Sequence, residues 1–205
     1  VRKIKQVAEN PELDAIAKKY PNNIEMCKEY LEMLNNTNVK IEEDKTATSS
    51  LYIGISNKIV ISDVKESFTR IQTIAHECLH SIQDRKILLF NFIYSNLYMI
   101  YFIVIAILKL CNILPYEMTF LAILIIAGFV YYFVRSYLEN DAMIKARFLA
   151  KEYMENKKIS SQEEIDKIVC HFDKLNNIGI KAVNFALLTT VIIKIIIFCG
   201  ICLIR

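Results

Sequence analysis

Two histidines four residues apart, with a glutamate next to the first, make up the stretch His76-Glu77-Cys78-Leu79-His80. On a helix, side chains at i and i+4 stand one above the other, so both imidazoles can reach a single metal ion. Glu77 projects beside them, placed to take a proton from a water held by that ion. Three fixed positions also occur by chance. The helical context and a third ligand therefore decide between a metal site and an accident of sequence.

The flanking residues predict the helix. Val64, Phe68, Ile71, Ala75, Cys78 and Ile82 recur at steps of four and three, which draws one apolar stripe. His76 and His80 fall off that stripe, beside Thr69, Gln72 and Thr73. Asp63 followed three residues later by Glu66 reads as a capping box at the start. The motif is thus expected on a buried amphipathic helix, with its histidines toward a partly polar space.

A zinc enzyme normally uses three protein ligands and leaves a fourth position for water. His171 is the one other histidine, but it follows Cys170 on an expected surface helix over 160–175, where a solvated or half-buried imidazole is the plainer reading. Glu139 is better placed. It comes directly after the second of two long apolar segments, so a membrane hairpin returns it to the surface that the HExxH helix left. A helix expected over 137–156 sets Ala142 and Ala146 on its face, small enough for close approach to the motif helix. Arg135 and Arg147 lie on roughly the same side, as candidates to bind a substrate carbonyl or a developing oxyanion. The alternative for Glu139 is an ordinary interfacial carboxylate paired with Arg135. Asp141 is rotated roughly 200° from Glu139, so the two do not serve one ion.

Ahead of the motif, residues 1–37 read as two soluble helices. One starts at Asn10-Pro11 and the other around Pro21 to Asn23, the second ending in Asn35-Asn36-Thr37-Asn38. Strand candidates are Val39–Ile41, Leu51–Ile55 and Ile59–Ile61, the last two joined as a hairpin through Ser56-Asn57-Lys58. The last strand, ending near Ser62, is expected to offer its edge to an extended peptide.

Composition sets the compartment. Apolar residues make up 54% of the chain and the net charge is only +3, so no general affinity for nucleic acid is implied. The cysteines are scattered, without the paired spacing of a disulfide framework or zinc ribbon, and Cys199-Gly-Ile-Cys202 lies inside an apolar run. Three segments, Ile87–Leu110, Ile113–Val134 and Ala182–Ile204, can each cross a bilayer core of about 30 Å at ~1.5 Å per residue. Lys194 interrupts the third; it calls for a polar partner such as Asn91, Asn96 or a substrate helix, or else snorkels to the interface. Arg85 and Lys86 precede the first span, and a series of cations from Arg135 to Lys181 separates the second from the third. That bias places 1–86 and 137–181 together on the cytoplasmic side, with the hairpin 87–136 and the segment 182–205 in the cell membrane.

With these residues in view, the region over 55–150 resembles integral-membrane zinc metallopeptidases of the gluzincin type, among them the HtpX-like heat-shock proteases and the CaaX prenyl proteases. The string Ala75-His-Glu-Cys-Leu-His-Ser-Ile-Gln83 is closer still to the YugP-like neutral zinc metallopeptidases, in which HExGHxxQ precedes membrane segments. Leu79 stands where those families carry Gly, and Met143 where HtpX-like members carry Asp. The membrane span that such families carry ahead of the motif is absent or lies upstream of Val1. The resemblance implies Zn2+ held by His76, His80 and Glu139, with Glu77 as general base. It also implies an α+β zincin-like domain joined to about three transmembrane helices, acting on a peptide or membrane-protein substrate at the bilayer. A catalytically inactive membrane scaffold keeping the same fold is the rival from another class.

Overall fold

The computed structural model describes residues 8–44, 46–47, 49–62 and 67–203. Along the chain run α1 (Pro11–Ala17), α2 (Asn23–Met33), β1 (Lys40–Asp44), β2 (Leu51–Ile53), β3 (Lys58–Ser62), α3 (Thr69–His80), α4 (Arg85–Leu110), α5 (Glu117–Lys157) and α6 (Gln162–Leu203). Val64 and the Asp63–Glu66 capping box lie outside the described residues. Contacts divide the chain into two units, Val1–Arg85 with Asn140–Ile180 and Lys86–Glu139 with Lys181–Arg205.

In the first unit the helices start where their caps predict. The Asn10 side chain accepts from the amides of Glu12 and Leu13, with Pro11 in the first turn, and Asn22 accepts from the amide of Glu25. Asn35 ends the second helix in the left-handed region, at φ 52°, which asparagine tolerates better than most residues. The hairpin is present too: β2 and β3 pair antiparallel, Tyr52 opposite Ile59.

The edge expected of the last strand is not there. β1 pairs with β3 in parallel, Ile41 opposite Ile59, so the sheet order is β1-β3-β2 and β3 is central. Burial accounts for this. Ile59 and Ile61 are fully buried, whereas β1 carries Glu42, Glu43 and Asp44 on largely solvated positions. The most apolar strand takes the covered middle, and the charged one takes an edge.

The motif helix α3 lies within the core of this unit. Phe68, Ile71, Ala75 and Cys78 are fully buried, as their spacing predicts. Ile82 is not; the helix ends at His80 and Ile82 is 46% exposed. Burial extends around α3 to Arg70, Gln72 and Glu77. Arg70 is a structural anchor, donating to the carbonyls of Ala17, Tyr20 and Pro21 and to the Asn23 side chain at 2.7–3.0 Å. Those carbonyls close α1 and lead into α2, so one guanidinium ties both helices to the motif helix. Tyr30 of α2 donates to the Ile71 carbonyl at 3.0 Å and packs its ring 4.6 Å from that of Tyr153. Burial, reinforced by Tyr153, holds the Tyr30 phenol well above its ordinary pKa.

Ala142 and Ala146 are both 0% exposed, joined by Ala150, in the same core as Ile71 and Ala75. The helix that carries them does not begin at 137; it is the continuation of the apolar segment before it. The helix expected over 160–175 likewise runs on unbroken to Leu203. With no proline inside either stretch, nothing stops the backbone ladder at the change from apolar to charged sequence.

In the second unit, parts of α4, α5 and α6 meet. All three helices are long and apolar enough to cross a membrane. Large side chains such as Leu97, Ile126, Phe133 and Ile196 face outward, a surface that suits lipid rather than water. Gly128 lets the helices approach: a Cβ there would stand 2.5 Å from Val191 Cγ1 and 2.8 Å from the Tyr98 hydroxyl. Lys194 is only 7% exposed, so it does not snorkel. Its ammonium lies 5.0 Å above the ring of Tyr98 and 5.9 Å from that of Tyr131. Of the partners expected for it, Asn96 instead donates back to the Phe92 carbonyl. The cation is held by ring faces.

Candidate metal centre

His76 and His80 point their Nε2 atoms at each other at 3.0 Å, with ring planes crossing at 87°. Donors on a tetrahedral zinc with bonds of about 2.0–2.1 Å stand about 3.3 Å apart, so the two nitrogens are near ligand spacing. A carboxylate oxygen of Glu139 completes a group whose donor atoms all lie within 4.8 Å of one another. Among the described residues it is the one group of three or more His, Cys, Asp or Glu side chains that can hold a metal ion. All three residues are half-buried, which leaves room for a further ligand from solvent. Helix α5 passes through Glu139 into Asn140 without a break, so the carboxylate sits on the turn that leads into Ala142 and Ala146.

The ring of His80 is fixed from its other side. Its Nδ1 lies 2.8 Å from Gln83 Oε1, which can only accept, so Nδ1 is the donor of this bond. Successive tight turns, from Cys78 to Ser81, Leu79 to Ile82 and His80 to Gln83, fold Gln83 back over the ring. Gln83 Nε2 donates to Asp141 Oδ2 at 3.3 Å, and Asp141 pairs with Lys145 at 2.6 Å. Asp141 therefore stands behind His80 rather than among the ligands.

Glu77, the expected general base, is 8% exposed beside His76. Its other neighbour, Cys78, has a thiol pushed well above the ordinary range by burial, then by Cys27 at 3.6 Å and the charge of Glu77. Cys78 is thus a protonated core side chain. Arg135 reaches Glu139, Nη2 to Oε1 at 2.8 Å, so the ion pair expected as the alternative is present. Arg147 is engaged elsewhere: about 12 Å further along α5, it pairs with Asp173 and lies 4.3 Å over the Phe148 ring. His171 turns its Nδ1 to the Lys167 carbonyl at 3.0 Å and its ring edge to Phe68, an ordinary half-buried histidine.

No protein-family profile, curated protein or solved structure matches the chain. The donor set itself must therefore carry the chemistry. Two imidazoles with one carboxylate suit a transition-metal ion better than magnesium or calcium, which take oxygen ligands.

Two polar residues of this neighbourhood escaped the spacing argument. Gln72, one turn before His76 on the same face, donates to Asn176 Oδ1, and Asn176 donates to the Met143 carbonyl at 3.0 Å. The pair is buried and ties α3 to the α5 and α6 segments of the first unit. Gln72 carried a signal, being polar at four residues before a ligand; Asn176, 104 residues away, carried none.

Proposed function

We propose that this chain is a membrane-anchored zinc-dependent endopeptidase that hydrolyses peptide bonds at the cytoplasmic membrane face, on membrane-associated or misfolded substrates. One observation carries the reading: the convergence of His76, His80 and a Glu139 oxygen within 4.8 Å, from sequence positions on either side of two long apolar segments. The resemblance of the motif region to membrane zinc metallopeptidases points the same way.

Zinc held by these three side chains would lower the pKa of a water from about 15.7 to about 7 and polarise the scissile carbonyl. Glu77 would accept a proton from the attacking water. It returns the proton to the departing amine nitrogen as the carbon–nitrogen bond breaks. Arg135, 2.8 Å from Glu139 Oε1, would orient that carboxylate. The apolar helices retain the chain at the bilayer, where its substrates are presented.

The deciding experiment is zinc per chain on detergent-purified protein, wild type against Glu139→Ala. Near-stoichiometric zinc lost in the variant is expected. A wild-type protein that takes up no zinc when it is supplied overturns the peptidase reading in favour of an inactive scaffold.

A further inference from the structure

A histidine ligates through Nε2 only when its proton sits on Nδ1, and in this chain the group opposite Nδ1 is an amide, which can face either way. With Oε1 toward His80, as it stands at 2.8 Å, Gln83 accepts the Nδ1 proton and leaves the Nε2 lone pair aimed at the cluster. Turned by half a rotation, the same amide presents its NH2 group to Nδ1. That would favour the proton on Nε2, where it blocks the metal. The amide and the two imidazoles, whose Nε2 atoms lie 3.0 Å apart and can each donate or accept, do not by themselves decide between these states.

Asp141 decides. An ionised carboxylate only accepts, so its Oδ2, 3.3 Å from Gln83 Nε2, is compatible with one orientation of the amide. Lys145 at 2.6 Å holds Asp141 in place. We propose that Asp141 is a positioning residue that selects the metal-binding tautomer of His80 through the Gln83 amide. The proposal rests on the zinc-peptidase reading for its purpose but not for its geometry, since none of the four residues needs a metal to adopt it. It also gives a use to a carboxylate that is turned too far from Glu139 around the helix to share its ion.

The test uses the full chain in detergent at about pH 8 and reads two quantities: zinc affinity by competition with a chelator, and the His80 tautomer from side-chain 15N shifts of the zinc-free protein. The chain has only 3 histidines, so the spectrum is readily assigned. Asp141→Asn lets the neighbour of Gln83 donate as well as accept, which frees the amide to turn. It is expected to weaken zinc roughly tenfold or more, in the range of outer-shell losses, and to move His80 toward the Nε2–H form. Gln83→Leu removes the acceptor outright and should do the same. The double exchange Gln83→Glu with Asp141→Asn restores an acceptor-only group opposite Nδ1 with a donor behind it, and should recover both affinity and tautomer. A role in packing alone predicts no such recovery. If wild type binds zinc and Asp141→Asn changes neither readout, or the double exchange does not recover, the proposal is overturned and the peptidase reading stands. If wild type takes no zinc, the peptidase reading fails, and the tautomer comparison still decides whether Asp141 sets the His80 proton.

Discussion

Arg135 Nη2 lies 2.8 Å from Glu139 Oε1, one helical turn away, while a Glu139 oxygen also lies within 4.8 Å of both His76 and His80 donors. A carboxylate has two oxygens and can serve a guanidinium and an ion together. The arginine side chain is 43% exposed, so the pair contributes little to folding, on the order of 0–1 kcal/mol. Its effect belongs to the ligand's orientation. Arg135→Met should leave thermal stability nearly unchanged and weaken zinc roughly tenfold, as loss of an outer-shell partner does. Equal affinity in the variant would mean that Arg135 is only a neighbour.

Glu77→Gln separates binding from chemistry. The amide keeps the shape but cannot take a proton, so zinc content should stay at the wild-type level. Hydrolysis of a denatured or membrane-associated test protein should fall by about 10²–10⁴, the usual contribution of a general base.

Arg70 is predicted to be a stability residue. Replacing it by Met strands the carbonyls of Ala17, Tyr20 and Pro21, which its two terminal nitrogens now satisfy. A loss of about 3 kcal/mol is expected in chemical denaturation followed by circular dichroism. Lys should recover only part of it, because an ammonium does not reproduce the guanidinium fork.

Alkaline pH tests the burial of Tyr30. Its pKa is raised in the folded chain, mainly by desolvation, above the value near 10 of an exposed phenol. The folded state therefore keeps a proton that the unfolded chain releases. That stability is fully present below about pH 10 and is lost as pH rises toward the folded pKa. Between about pH 10 and 11.5, wild type should lose stability more steeply than Tyr30→Phe, by up to about 1.4 kcal/mol per pH unit. The Phe variant should also be weaker at neutral pH, by about 1 kcal/mol, for its lost bond to the Ile71 carbonyl.

In the apolar unit, Lys194 and the rings of Tyr98 and Tyr131 should behave as a set. Tyr98→Leu leaves a buried cation with half its support and should destabilise by about 2 kcal/mol or more. Adding Lys194→Met removes the charge and should restore most of that loss. A double-mutant cycle in detergent measures the coupling; additive effects would deny it.

Local signals explain what was legible in the sequence. Apolar periodicity placed α3, unbroken apolar runs marked the apolar parts of the three long helices but not their full extent, asparagine and proline marked the starts of α1 and α2, and a polar tripeptide joined β2 to β3. Each depends on residues within one or two turns of one another, where propensity and side-chain direction act directly. The HExxH pair was readable for the same reason, and Glu139 because it follows the second of two long apolar segments.

Partner choice over long separations belonged to the tertiary structure. Nothing within a turn of Ile59 says that β1 will pair on its far side, and nothing near Arg147 says that Asp173 will claim it. Lys194 needed a partner by its charge, but only packing around Gly128 supplies tyrosine faces rather than amides. Gln83 and Asp141 are 58 residues apart. Their bond follows from how the turn after α3 meets α5. Composition and spacing determine which groups want a partner; the folded backbone determines which partner stands within 3 Å.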